Sequence, residues 1–177
     1  MKDFDEALEE LLKLLEAGMQ VWLLGAGASY DSKIPLMLQL TTRVCSLVAA
    51  PHDAPLASIR GELPASAHIE HVLSHLSDLI SIATRNSSRQ ATVGANAYSV
   101  DQLKELHAEI IRRIAETIRY GYRAAAAGVP EEVGTLQQPI VDVAHHTAFM
   151  EALFAGRANL ESRSRVVFTR GCPNFCV

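Results

Sequence analysis

Apolar positions recur along the chain in two rhythms, and the change between them marks its elements. From Asp3 to Ala17, Leu8, Leu11, Leu12 and Leu15 fall at helical spacing, with acids early in the stretch and Lys13 late. That spacing predicts an amphipathic helix whose charges match its dipole, closed by Gly18 and packed against a sheet. Gln20 to Leu24 then breaks the rhythm as a short apolar run bounded by Gly18 and Gly25. Such a run is the pattern of a strand buried on both faces of a parallel sheet. A second helix is expected to begin near Pro35, a residue favoured in a first turn, and to run through Leu40, Val44 and Leu47 to Ala50, where Pro51 stops it.

Residues 51–66 hold Pro51, Pro55, Gly61 and Pro64 and read as a surface loop. Ser66 is the expected N-cap of a helix from Ala67 to about Ala83, with Glu70 in its first turn and a stripe of Ile69, Val72, Leu76, Leu79 and Ile80 or Ala83. The Ser, Asn, Thr and Gly of residues 86–97 predict a flexible connection. Ser99 and Gln102 then form a capping box before a long helix reaching about Ala127, striped by Leu103, Leu106, Ile110, Ile114 and Ile118 and ended by Gly128 and Pro130. Arg112, Arg113, Arg119 and Arg123 lie on its wet side, interleaved with Glu105, Glu109 and Glu116, so pairing within the helix is expected. Residues 139–155 predict another helix, with Ile140, Val143, Phe149, Leu153 and Phe154. After a polar loop, Arg165 to Thr169 reads as a second buried strand.

Composition narrows the class. A chain of 177 residues is long enough for one domain with its own core. An apolar content of 49% and a mean hydropathy of +0.11 exclude a disordered chain. The net charge of −4 argues against a nucleic-acid partner. No apolar run approaches the ~18 residues of a membrane span, and Met1 to Asp5 lacks the basic-then-apolar order of a signal peptide. Cys45, Cys172 and Cys176 are an odd set that gives no disulfide framework. Cys45 is expected to be a core thiol, and a reduced cytoplasm fits the whole.

The candidate chemistry lies at the first strand-to-helix turn, Gly25-Ala26-Gly27-Ala28-Ser29. Small residues let the backbone approach a ligand closely, and the amides of such a turn suit a phosphate. Gly25 and Gly27 give G-x-G, but Tyr30 stands where a full dinucleotide fingerprint has its third glycine, and no acid follows about 20 residues on in a clean second strand. An ordinary tight turn is the plain alternative. His68, His71 and His75 share a helix face, read as a solvated polar surface in preference to a metal site, since no acid or cysteine accompanies them at ligand spacing.

Gly-Ala-Gly-Ala-Ser followed by Ile34-Pro35 resembles the opening motif of the sirtuin-like (silent-information-regulator type) NAD-binding superfamily. It looks like the bacterial NAD-hydrolysing branch, often found in antiphage defence systems. Lys33 replaces the glycine that usually precedes Ile-Pro, and Leu36-Met37-Leu38 replaces the Asp-Phe-Arg of the protein deacetylases. His68-Ile69-Glu70-His71-Val72-Leu73 resembles the family's Asn-Ile-Glu-Asp-Val-Leu helix over the nucleotide cleft. His145-His146 matches a scaffold His-His-x-x-Phe-like sequence.

The resemblance implies an α/β fold: a Rossmann-like parallel sheet, incomplete at about two strands, with a helical insertion at about 52–160, mostly helical by residue count. Residues 1–177 would then be the N-terminal portion of one such domain. The implied ligand is NAD or ADP-ribose, contacted by Gly25, Ala26, Gly27, Ala28, Ser29, Ile34, Pro35, Glu70 and Thr169. In the hydrolases the second strand ends in Phe-Thr-Thr-Asn-Tyr-Asp, whose asparagine holds the nicotinamide ribose and the attacking water, and a later histidine is the general base. Here Val167-Phe168-Thr169 is followed by Arg170-Gly171-Cys172-Pro173-Asn174-Phe175-Cys176-Val177. That tail reads as out-of-frame translation or a truncated gene product, so the chain is expected to be catalytically incomplete and marginally folded alone, with exposed sheet edges. A homo-oligomer or a defence-system partner protein is the implied partner, with no nucleic acid and no membrane. The alternatives are a regulatory module that binds NAD or ADP-ribose without turnover, and a helical protein-interaction domain whose glycine turn is only structural.

Overall fold

Ser99 and Gln102 close on each other as their spacing predicts. The Gln102 N–H donates to Ser99 Oγ at 3.2 Å, and the Ser99 N–H donates to Gln102 Oε1 at 2.9 Å. Two orphan donors of a helix start are satisfied in this way, and the longest helix among the described residues begins there. The structure, a computed structural model, describes residues 26–144, together with Asp5, Glu6, Glu9, Glu10, Lys13, Glu151 and residues 146–148. A 3-10 turn at Ala26–Ser29 is followed by helices α1 (Met37–Leu47), α2 (Asp53–Gly61) and α3 (Ile69–Arg85). A hairpin of β1 (Gln90–Val93) and β2 (Asn96–Ser99) leads into α4 (Val100–Tyr120). A short ribbon of β3 (Tyr122–Arg123) and β4 (Glu132–Val133) comes after it.

The chain divides into two compact units, one of Met1–Asp31 with Val143–Val177 and one of Ser32–Asp142. In the first, Asp5, Glu6, Glu9, Glu10 and Lys13 are helical and exposed, on the expected N-terminal helix, and Ala144, His146, Thr147, Ala148 and Glu151 are helical too. In the second, one core is built from the four helices and the β1–β2 hairpin. Leu40, Val44 and Val48 meet Leu56 and Ile59, Ile69, Val72, Leu76, Leu79 and Ala83, the hairpin's Ala91, Val93 and Tyr98, and Val100, Leu103, Leu106 and Ile110 of α4. Ile114, Ile118 and Cys45 pack partly buried against it, as the stripes predict. Each fully buried Leu or Ile contributes about 1.5–3 kcal/mol relative to exposure. No helix among the described residues is long and apolar enough to cross a membrane.

Several sequence expectations change. The expected loop over 51–66 contains α2. Pro55 sits in that helix's first turn, where no backbone N–H is needed, while Leu56 and Ile59 are buried and Asp53 and Arg60 match the dipole. Ser66 is not the cap of α3. Residues 64–67 close a turn, the Ala67 N–H donating to the Pro64 carbonyl at 2.8 Å, and the helix starts after His68. The connection at 86–97 is an antiparallel hairpin, with Ala91 opposite Tyr98 and Val93 opposite Asn96. Gly94 takes φ +57° in its two-residue loop, the positive φ that such tight loops need. Helix α4 ends at Tyr120, because Gly121 at φ +88° turns the chain away; Gly128 and Pro130 instead flank the far turn of the β3–β4 ribbon. Residues 139–143 are not helical, and the helix expected from Pro139 begins at Ala144.

The described residues therefore form a mostly helical α/β chain whose sheets are small and antiparallel. The predicted parallel strands, at 20–24 and 165–169, lie outside the described residues.

Leu106→Ala is expected to cost about 2–5 kcal/mol through its cavity. Ile111→Ala, five residues along the same helix but 45% exposed, is expected to stay within about 0.5 kcal/mol. Urea unfolding followed by circular dichroism at 222 nm separates the two.

Candidate functional site

The glycine-rich turn is open at Gly27. Residues 26–29 wind into one 3-10 turn, and the Tyr30 N–H closes it on the Gly27 carbonyl at 3.1 Å. Gly27 is exposed, and a Cβ built there meets no atom within 4 Å. Ser29 is half-buried. Gly25 and Thr169 lie outside the described residues, as do Cys172, Cys176 and His145.

In the Ser32–Asp142 unit, Ile34 is half-buried and Pro35 buried ahead of α1. Pro35 is not the first-turn residue expected of it. Leu36 is the N-cap, extended at φ −68° and ψ 164°, and Pro35 precedes it. Glu70 stands in the first turn of α3 as expected, its side chain 17% exposed. Thr41 joins these two helix starts. Its hydroxyl donates to the Met37 carbonyl at 2.7 Å and accepts from the Ile69 N–H at 2.9 Å. The structure thus brings the Ile34–Pro35 approach and the Glu70 turn to adjoining helix ends through a residue that sequence reasoning passed over. Its signal was a threonine in register with Leu40 and Val44, polar at a buried helical position.

The three histidines divide into a pair and a single residue. The His71 Nδ1 accepts from the His68 N–H at 3.3 Å, and the two rings lie 3.9 Å apart. Among the described residues His68 Nδ1 has no hydrogen-bond partner; it is buried and stands 3.9 Å from Glu70 Oε2. His75 reaches the other way, its Nε2 lying 2.9 Å from Glu62 Oε2. His71 is exposed, and His68 and His75 are half-buried. Among the described residues no group of three or more His, Cys, Asp or Glu side chains could hold a metal ion.

Glu62 has a second partner in the Gly94 N–H, which donates to its Oε1 at 2.7 Å and ties the hairpin loop to the end of α2. The His75 hydrogen bond, then that of Gly94, holds the Glu62 carboxyl below its ordinary value. Cys45 is a half-buried thiol pushed up by burial, against the opposing charge of Arg60. On α4, Arg112 and Arg113 both bond Glu109 and Glu116, at 2.6–3.1 Å, the expected intrahelical pairing. A surface hollow of about 230 Å³ between Arg60, Leu63, Pro64, Ala67 and Val72 holds none of the nucleotide candidates.

No protein-family model matches the chain, and no curated protein or solved structure matches it significantly.

A carboxyl held low in the folded state stabilises it fully above the ordinary value of 4.5 and loses that contribution as pH falls through its folded value. Protection of the Gly94 amide, corrected for intrinsic exchange, is therefore expected to hold between pH 7 and 5 and to fall below about 4.5. Glu62→Gln should lower it at neutral pH and remove that dependence, as exchange followed by NMR would reveal.

Proposed function

We propose that this chain is the NAD-binding portion of a sirtuin-like NAD+ hydrolase, with the Gly25–Ser29 turn receiving the diphosphate. On this reading the parallel, Rossmann-like strands are 20–24 and 165–169. Ile34, Pro35, Glu70 and Thr169 contribute further contacts to NAD or ADP-ribose. The observation that carries the reading is the exposed Gly27, with open space where a side chain would stand. A phosphate needs backbone amides it can approach directly, and a Cβ at that point would keep it away.

A second feature supports the reading. Lys33, where the resembled family has glycine, takes φ +60°, a conformation suited to glycine. Cleavage of NAD into nicotinamide and ADP-ribose builds positive charge on the ribose, so a hydrolase must also orient that ribose and place a water. The residues after Thr169 do not match the asparagine segment that does so in the family. We therefore assign binding, and no turnover, to the chain as it stands. A homo-oligomer or a defence-system protein is the partner this reading gives.

One observation favours a second reading, a helical protein-interaction domain. Among the described residues, every buried residue of the Ser32–Asp142 core cluster lies between Leu40 and Ile110, and most of them are on helices.

Titration calorimetry with NAD and ADP-ribose distinguishes the two. Binding of either, weakened about ten-fold or more by Gly27→Asp through lost access and charge repulsion, together with no release of nicotinamide, fits the proposal. Absence of heat with both nucleotides leaves the interaction domain.

A further inference from the structure

Lys33 carries a backbone conformation that its side chain disfavours. At φ +60° it lies in the left-handed region, where Cβ crowds the following carbonyl. Three contacts from the segment after α4 hold it and its neighbour there. The Tyr122 N–H donates to the Lys33 carbonyl at 2.9 Å, and the Asp142 N–H donates to the Ser32 carbonyl at 3.2 Å. The Lys33 ammonium donates to Glu132 Oε2 at 2.5 Å. The same segment grips α1, since the Arg43 guanidinium lies 5.1 Å from the centre of the buried Tyr122 ring and 3.7 Å from Glu131 Oε1. The ribbon itself is fixed by packing that admits only glycine at two points. A Cβ on Gly121 would meet Ile140 Cγ1 at 2.8 Å, and one on Gly134 would collide with the Tyr120 carbonyl.

We propose that the β3–β4 ribbon is a clamp, closed by the Lys33–Glu132 ion pair, that fixes the Ile34–Pro35 approach to α1, with Lys33 as its positioning residue. Any effect on a ligand rests on the nucleotide reading above; the clamp does not. Removing the ammonium while keeping Cβ leaves the disfavoured backbone without its side-chain anchor. Removing both relieves the conformation at the same time.

The test compares Lys33→Met with Lys33→Gly in the full chain by NMR hydrogen exchange. The Tyr122 and Asp142 amides, which donate to this loop, report on the clamp, and the Leu103 and Leu106 amides of α4 report on the core. Lys33→Met is expected to speed exchange at Tyr122 and Asp142 about five-fold or more, while Lys33→Gly stays within about two-fold of wild type. The α4 amides should be unchanged in both. Exchange in Lys33→Met equal to wild type, or quickened equally at Leu103 and Leu106, overturns the clamp. NAD titration of the same proteins separates the two ideas. The expected exchange pattern in a wild type that binds no NAD removes the nucleotide reading and upholds the clamp. Equal NAD affinity in wild type and Lys33→Met, despite faster exchange, breaks the link between clamp and ligand.

Discussion

Burial of one face of α4 is the constraint on which the Ser32–Asp142 unit depends. Val100, Leu103, Leu106 and Ile110 are buried along that face, and α1, α3 and the hairpin all pack on the helix. None of these elements could bury its own apolar stripe alone, since an amphipathic helix needs a partner surface. The opposite face of α4 is held in water by Arg112 and Arg113, each shared between Glu109 and Glu116. Arg112 is exposed and the other three half-buried, and ion pairs so near the surface add little stability. The network keeps the wet side wet, while packing fixes the helix.

Around that core, polar contacts set directions more than they supply binding energy. Thr41 fixes the start of α3 against α1 because a buried N–H at a helix start must find an acceptor. Glu62 does the same for the hairpin loop, through the Gly94 amide. Ser58 Oγ and Tyr98 Oη share a hydrogen bond of 2.8 Å, which lets a tyrosine enter the core without an unsatisfied hydroxyl. The β3–β4 segment extends the logic to Ser32 and Lys33. A backbone that would be disfavoured in isolation persists because its carbonyls and ammonium are all engaged.

Legibility followed the physics of each signal. The capping box of α4, its leucine and isoleucine stripe and that of α3 were plain in the residues, because spacing alone determines which side of a helix is apolar. Helix α2 was hidden by Pro51, Pro55, Gly61 and Pro64, whose density reads as loop although Pro55 falls where a helix tolerates it. The hairpin was hidden because only Ala91, Val93 and Tyr98 of its short strands are buried, too few to show alternation. The end of α4 was misplaced because Gly121 and Gly128 are equally good stop signals in sequence. The close packing of Ile140 and Val141 against Gly121 singles out the earlier one.

By itself, then, the sequence determined that the bodies of α1, α3 and α4 are helical, which of their faces are apolar, and that Gly25 to Ser29 is a backbone with almost no side chains. These are local properties, set by residue type and spacing. Tertiary structure alone decided that Thr41 joins two helix starts, that His75 turns to Glu62 and away from His68 and His71, and that Lys33 is held left-handed by a ribbon about ninety residues further on. Contacts of that separation depend on how the elements pack, and no short window of residues contains them.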